Sequence, residues 1–226
     1  RTSRRVKVRG VYTHLHVPPE EPSDGRYLEW QFGRFTRALE FLRDHGVEPH
    51  IRMAASSAVL MQTEQMSLNA IDPGHLLFGM YPSGPRIFDL DLWPAFRCLK
   101  SRLVQVKPVQ RTAFFERAPF PVQPGMRIGV FPFGMAHGML RANCGQVLVR
   151  GRRAAVLGVS LEHTRVNLSE VDAQRGDEVV VVGRQGTDEI TLSEVLAYQR
   201  QHVPSAVPVG IDTAVPRSYV QGLVGD

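Results

Sequence analysis

The residue pattern of this chain changes near residue 95, and the change limits the folds the chain can adopt. Before it, apolar runs of strand length alternate with stretches such as residues 30–46, in which apolar residues recur at helical spacing. After it, short β-like runs are separated by Gly, Pro, Asn and Asp. Alternating strands and helices are typical of a parallel sheet covered by helices. We therefore predict an α/β part over residues 1–94 and a mostly β domain over residues 95–226, for which a barrel is one possible form.

The composition favours a folded cytoplasmic protein over several other classes. No apolar run approaches the roughly 18 residues that would span a bilayer, so we expect no membrane segment. Cys98 and Cys144 are too few and too far apart for a disulfide framework, which favours a reducing compartment. The net charge is +5, but the aromatic residues do not interleave with the basic ones, and we expect no nucleic-acid partner. The histidines lack metal-binding spacing, so no metal site is predicted.

Polar residues follow three predicted strands of the first part, at the point where each strand ends. In a (β/α) barrel these ends share one face, where active sites lie. Hydroxyls and free backbone N–H groups at a helix start bind anions, and a glycine lets a phosphate approach the backbone. The pattern thus predicts a phosphate site, with helix capping by the serines and a simple Pro-Gly turn as the alternative. The residues are His14, Ser56, Ser57, Asp72, Gly74 and His75.

A series of segments along the chain resembles the bacterial alanine racemase family, in the same order and at similar spacing. The series is GVYTHLH, RMAASSAVL, IDPGHLLFGMYPSG, GVFPFGMAHGMLR and the run from Gly145 to Val171. The resemblance implies an isomerase of amino-acid metabolism that uses pyridoxal 5′-phosphate (PLP). It implies the second half of a (β/α) TIM-type barrel, which binds PLP, followed by a C-terminal β domain. It also implies a head-to-tail homodimer in which the β domain of one chain completes the active site of the other.

The same resemblance implies roles for individual residues. The backbone N–H groups of Gly74 and His75, with Ser57 and its neighbour Ser56, would bind the cofactor phosphate. Asp72 would face the pyridine ring and His14 would lie behind it. In the β domain, Met135 stands where the family commonly has an active-site tyrosine. Leu161 lies in a segment like the one whose backbone amide contacts the substrate carboxylate.

The lysine that anchors the cofactor in the family has no counterpart here. In the family it lies at the end of the first barrel strand, and none of Lys7, Lys100 and Lys107 stands in a matching context. Without a lysine there is no covalent anchor for the cofactor. We therefore expect the N-terminal half of the barrel to be supplied by a separate chain, to have been removed by cleavage, or to be omitted from this sequence.

Two further departures concern the chemistry. Asp72 stands where racemases of this family usually have arginine, and a carboxylate there would keep the ring nitrogen protonated and strengthen electron withdrawal. The segment at residues 110–120 lacks the family's catalytic tyrosine, and we name Glu116 and His137 as substitute bases. The main interpretation is a PLP-dependent amino-acid racemase. The alternatives are a binding subunit without catalysis, or a PLP enzyme of another type such as a decarboxylase or transaminase.

Overall fold

The computed structural model describes residues 6–18, 25–111, 115–139, 145–198 and 205–220. The chain divides into two compact units, residues 1–95 and residues 96–226. Each unit has its own cluster of buried apolar side chains. Within the described residues, no helix has the length and apolar character needed to cross a membrane.

The first unit is a parallel sheet with helices, as the alternating pattern predicts. Its three strands lie in the order β1–β2–β3, and both neighbouring pairs are parallel. The strands are β1 (Gly10–Tyr12), β2 (Ile51–Ser56) and β3 (Ala70–Asp72), and the helices are α1 (Arg26–Asp44), α2 (Ser57–Leu60) and α3 (Gly74–Leu77).

Helix α1 packs one apolar face against the sheet. Leu28 and Phe35 are buried, and they join a core that contains Ala54 and Ala55 of β2. The helix starts four residues before the predicted position, at Arg26 rather than at residue 30. Its end is as predicted, because Gly46 adopts φ +73 and its N–H donates to the Arg43 carbonyl.

On the other face of this sheet, apolar side chains are exposed in the part of the unit that the structure describes. Tyr12 is 73% exposed and Ile51 is 51% exposed, although both lie in strands. They lie on the same face, since Gly10 pairs with Ile51 and Tyr12 pairs with Met53. Parallel sheets are normally covered on both faces, and a TIM-type barrel closes only with eight strands. The first unit therefore has the local architecture of a partial barrel.

The second unit is built on an antiparallel sheet of eight strands, in agreement with the predicted mostly β character. The order is β11–β10–β7–β8–β9–β6–β5, and β4 pairs with β10. The strands are β4 (Leu99–Arg102), β5 (Gln105–Pro108), β6 (Arg127–Phe131), β7 (Gln146–Val149), β8 (Arg152–Val159), β9 (Thr164–Asn167), β10 (Glu178–Gln185) and β11 (Asp188–Ile190).

The core of the second unit lies against its central strands. Residues 147–149 of β7 and residues 179–182 of β10 are buried valines and a leucine, as expected for strands covered on both faces. Two short helices follow, α4 (Leu192–Tyr198) and α5 (Ala206–Gly210). Thr191 caps α4, since its Oγ1 accepts from the Glu194 N–H at 3.1 Å. The sequence predicts a helix over residues 192–202, and its last four residues, 199–202, lie outside the described residues.

Candidate functional site

The three parallel strands of the first unit bring the predicted cofactor residues to one edge of the sheet. Ser56 and Asp72 are direct partners at the carboxyl ends of β2 and β3. The N–H of Thr13, just beyond β1, donates to the Met53 carbonyl at 3.0 Å, so β1 ends beside them. His14 is the next residue along. Because all three strands run in the same direction, their following residues leave the sheet on the same side.

Ser57 connects this edge to the turn after β3. Its Oγ accepts hydrogen bonds from the backbone N–H of His75, at 3.0 Å, and from that of Leu76, at 3.3 Å. Ser57 is only 2% exposed, so the hydroxyl is held in place by packing. The Ser56 side chain makes no capping hydrogen bond to α2. Ser56 therefore does not act as a side-chain cap of α2, and the hydroxyl of Ser57 bonds instead to the turn after β3.

The turn that Ser57 contacts has room for a ligand. A Cβ added at Gly74 would meet no atom within 4 Å. The Nε2 atom of His75 is buried and has no hydrogen-bond partner among the described residues. Burial lowers the pKa of His75, which favours the neutral imidazole. The N–H of His75 is engaged by Ser57, so the donors left for a ligand include the Ser57 O–H. That hydroxyl, the open space beside Gly74 and the unsatisfied buried nitrogen of His75 fit the phosphate group of PLP.

Asp72 and His14 face solvent at the same edge. Both are exposed, and Asp72 pairs with neither His14 nor an arginine within the described ranges. A carboxylate and an imidazole for which the structure shows no partner among the described residues are available to a ligand bound beside the candidate phosphate site. Each can exchange a proton with a heteroaromatic nitrogen or accept a hydrogen bond.

No lysine of the first unit lies at this edge. Lys7 precedes β1 and so lies beyond the opposite, amino end of that strand. Lys100 is in β4 of the second unit, where its Nζ lies 3.2 Å from a Glu178 carboxylate oxygen. Lys107 is in β5 of the same unit. A covalent anchor for a cofactor at this edge is therefore not supplied by the first unit.

The two candidate bases of the second unit differ in availability. Glu116 is exposed in a short 3-10 turn, Phe115–Arg117, and borders a cleft of about 490 Å³. The Nδ1 atom of His137 accepts the N–H of Gly134 at 3.1 Å, and its ring stacks on Phe133 at 5.8 Å between ring centroids. A neutral His137 thus carries its proton on Nε2 and has no free lone pair, which favours Glu116 as the base. Residues 112–114 lie outside the described residues.

The two predicted substrate residues lie on neighbouring segments. The N–H of Met135 donates to the Ser160 carbonyl at 3.0 Å, and the N–H of Ala136 donates to the Leu161 carbonyl at 2.8 Å. Met135 is 39% exposed and Leu161 is 62% exposed, so both side chains can meet another molecule. The close approach depends on Gly134, where a Cβ would lie 2.4 Å from the Ser160 carbonyl oxygen.

Sequence reasoning produced no expectation for Leu76, whose backbone N–H donates to Ser57 at this candidate site. Its contribution is a backbone N–H, which every residue but proline carries, so no side-chain pattern marks it. The only available signal was its position, two residues after Gly74 in the turn that follows β3.

Two family models match this chain. The N-terminal domain model of alanine racemase matches residues 1–82, and the C-terminal domain model matches residues 97–219. The alanine racemase of Halothermothrix orenii is 30% identical over 97% of this chain and 58% of the relative. That of Symbiobacterium thermophilum is 34% identical over 95% of this chain and 57% of the relative. The chain thus spans less than two thirds of the length of these curated relatives.

Solved structures of alanine racemases also align with most of this chain. Alanine racemase from Bacillus anthracis with bound L-Ala-P aligns with a TM-score of 0.77 and 26% identity, over 94% of this chain and 55% of that one. Alanine racemase from E. faecalis aligns with a TM-score of 0.74 and 29% identity, over 94% of this chain and 56% of that one. The predicted order of a partial barrel followed by a β domain is therefore confirmed. Matches to both domain models, in the order in which the two units occur, show that the chain belongs to the alanine racemase family.

Proposed function

We propose that this chain forms part of a PLP-dependent amino-acid racemase of the cytoplasm. The observation that carries the proposal is the hydrogen bonding of Ser57 to the turn at Gly74 and His75, at the carboxyl edge of a parallel sheet. This edge is where barrel enzymes bind their ligands. Membership of the alanine racemase family makes PLP the cofactor that best suits such a site.

The phosphate would be held by the turn after β3. The Ser57 hydroxyl accepts two N–H groups in the structure and still has its own O–H to donate. The open space at Gly74 admits the phosphate oxygens close to the backbone. Ser56 lies beside Ser57 and is only 8% exposed, so its side chain could contact the phosphate over a small area at most.

The ring would lie near Asp72 and His14. PLP supplies an electron-withdrawing ring that acidifies the Cα–H of an amino-acid substrate. Asp72 would hold a proton at the ring nitrogen, since a nearby carboxylate stabilises that positive charge. His14 would pack or hydrogen bond beside the ring and so orient it.

Proton transfer and substrate contacts would come from the second unit of a partner copy. Glu116 is the proposed base, because its carboxylate is exposed and the His137 Nδ1 is already engaged. Met135 and Leu161 would contact the substrate. A head-to-tail homodimer accounts for how residues of the second unit reach a cofactor bound to the first unit.

The uncovered face of the sheet implies a further structural partner. Tyr12 and Ile51 expose most of their apolar surface, which further barrel strands would cover. Those strands would also supply the lysine that the carboxyl edge lacks. We propose that an N-terminal barrel half, in the same or a separate polypeptide, completes the active site.

The test is exchange of the substrate α-proton in D2O, measured by NMR with the protein assembled from this chain and its barrel partner. We expect PLP-dependent exchange and inversion of at least one amino acid in a panel of L- and D-enantiomers. Ser57→Ala should require more PLP for half-maximal activity, whereas Ser83→Ala, at an exposed position of the same unit, should behave as the wild type. Exchange that is independent of added or bound PLP would contradict the proposal.

Asp72 favours a second candidate, a PLP reaction other than racemisation. A protonated ring nitrogen stabilises the substrate carbanion, which suits decarboxylation or transamination as well. Detection of an amine or a keto acid as the main product, instead of the opposite enantiomer, would select this candidate. PLP binding without any turnover would instead indicate a binding subunit.

A further inference from the structure

The second unit contains a groove that none of the proposed roles uses. It has a volume of about 790 Å³ and runs across the outer face of strands β5, β6 and β9. This volume falls within the range of roughly 300–1,000 Å³ that is typical of small-molecule sites. The groove lies wholly within the second unit.

The floor of the groove follows from strand register. Gln105 of β5 pairs with Val130 of β6, which pairs with Arg165 of β9, so these three side chains lie in one row on one face. Lys107 and Ile128 form the adjacent row. The opposite face turns into the core, where a Cβ at Gly129 would lie 2.5 Å from Leu168. The pairing of β5, β6 and β9 therefore determines which side chains form the floor of the groove.

The segment at residues 118–122 forms the apolar side of the groove. Phe120 and Val122 line it together with Val130 of the floor. The guanidinium carbon of Arg165 lies 5.7 Å from the centroid of the Phe120 ring. This contact holds a cationic group beside an apolar wall.

The charge of the groove has one sign among the described lining residues. Lys107 and Arg165 are cationic, and the lining includes no aspartate or glutamate. The closest acidic neighbours in sequence, Glu116 and Glu162, are exposed and lie outside the groove lining. A groove with apolar walls and two cations complements a ligand that has an apolar body and a carboxylate.

We propose that this groove binds a small organic monocarboxylate. Its apolar body packs against Phe120 and Val122, and its carboxylate pairs with Arg165 and Lys107. The groove is lined by residues other than those proposed above to bind the cofactor, contact the substrate or move a proton. Its occupant is a small molecule, since the volume lies in the range of sites for small organic ligands and leaves room for a body with an aromatic ring.

The probe pair for the test is 4-phenylbutyrate and 4-phenylbutanol, which share an apolar body and differ in charge. Binding to the intact protein is measured by ligand-observed NMR and calorimetry. We expect saturable binding of the carboxylate, at least about tenfold tighter than the alcohol. Arg165→Gln should remove most of this difference, and Lys107→Gln should reduce it. Phe120→Ala should weaken both probes.

The matched control is Arg184→Gln, since Arg184 is an exposed cation of the same sheet that pairs with Glu189 at 3.1 Å. It should leave both affinities unchanged. Thermal unfolding checks that each variant is folded. If Arg165→Gln is unstable, Lys107→Gln replaces it as the variant that tests the charge preference. Equal affinity for the two probes, an equal loss in the Arg184 variant, or no saturable binding of phenylbutyrate would overturn the proposal.

Discussion

The Oγ of Ser57 lies 3.0 Å from the backbone nitrogen of His75, a residue 18 positions later in the chain. This single contact joins the start of α2 to the turn that follows β3. It places a buried hydroxyl and two backbone N–H groups at one point of the carboxyl edge. The proposed phosphate site depends on this arrangement more than on any other.

Ser57→Ala should destabilise the first unit as well as weaken cofactor binding. The change leaves the N–H groups of His75 and Leu76 without their acceptor, which costs about 1–3 kcal/mol when the groups stay buried. Hydrogen exchange at these two amides should accelerate. Ser83→Ala is the control, since Ser83 is exposed. Unchanged exchange at His75 in the Ser57 variant would show that the hydrogen bond is not formed in solution.

Two glycine variants should separate folding from ligand binding. At Gly79, φ is +71 and an added Cβ would lie 2.2 Å from the Trp93 carbonyl oxygen, so Gly79→Ala should lower the melting temperature. At Gly74, no atom lies within 4 Å of the added Cβ. Gly74→Ala should therefore melt as the wild type does, yet bind PLP more weakly because its methyl group occupies the proposed phosphate space. Normal PLP affinity in the Gly74 variant would place the phosphate elsewhere.

The ion-pair network around Arg153 should make the stability of the second unit depend on pH. Arg153 bonds to both carboxylate oxygens of Asp188, at 2.9 and 3.1 Å, and also to Glu194. The hydrogen bond from Arg153 lowers the pKa of Asp188 and that of Glu194. Carboxyl groups with a lowered pKa stabilise the fold above their ordinary values of 3.8 and 4.5, and that contribution is lost as the pH falls through the lowered values.

The measurement for this network is urea unfolding from pH 7 down to pH 3. Glu194→Gln should flatten the loss of stability at low pH, because one titrating group is removed. Glu189→Gln is the control, since Glu189 pairs with Arg184 while both side chains are largely exposed. An identical pH profile for the wild type and the Glu194 variant would show that the network does not contribute.

Asp72→Arg should change the products rather than the fold. Asp72 is exposed, so its replacement leaves the core intact. With alanine as substrate, the wild type should release pyruvate as a side product, because a protonated ring nitrogen stabilises the substrate carbanion. The arginine variant should release less pyruvate per inversion. A ratio that does not fall would mean that Asp72 does not face the ring.

The fold class could be predicted from the sequence, because helical and strand spacing of apolar residues can each be recognised within a short segment. The alternation before residue 95 and the short β runs after it reflect side-chain patterns that burial enforces. The end of α1 shortly before Gly46 was also predictable, since few residues other than glycine adopt that backbone conformation. The start at Arg26 was missed, because Gly25 precedes it and supplies no side-chain cap that would mark the helix start.

The candidate site was only partly predictable. Strand-end residues such as Ser57 and Asp72 can be identified from their position, since parallel strands bring their carboxyl ends together. The engaged Nδ1 of His137 could not be predicted, because it depends on a hydrogen bond to the backbone of Gly134. The groove beside Arg165 was also missed, since it arises from the register of three strands that are distant in sequence.

The most direct test of the proposed phosphate site is the ratio of the dissociation constants of pyridoxal and PLP. These ligands differ only in the phosphate, so their ratio isolates its contribution from that of the ring. The ratio is measured for the assembled wild-type protein, for Ser57→Ala and for Gly74→Ala. We expect the wild type to prefer PLP strongly and both variants to lose most of this preference, while their affinity for pyridoxal stays near that of the wild type. A ratio that is unchanged in both variants would contradict the phosphate site at Ser57, Gly74 and His75.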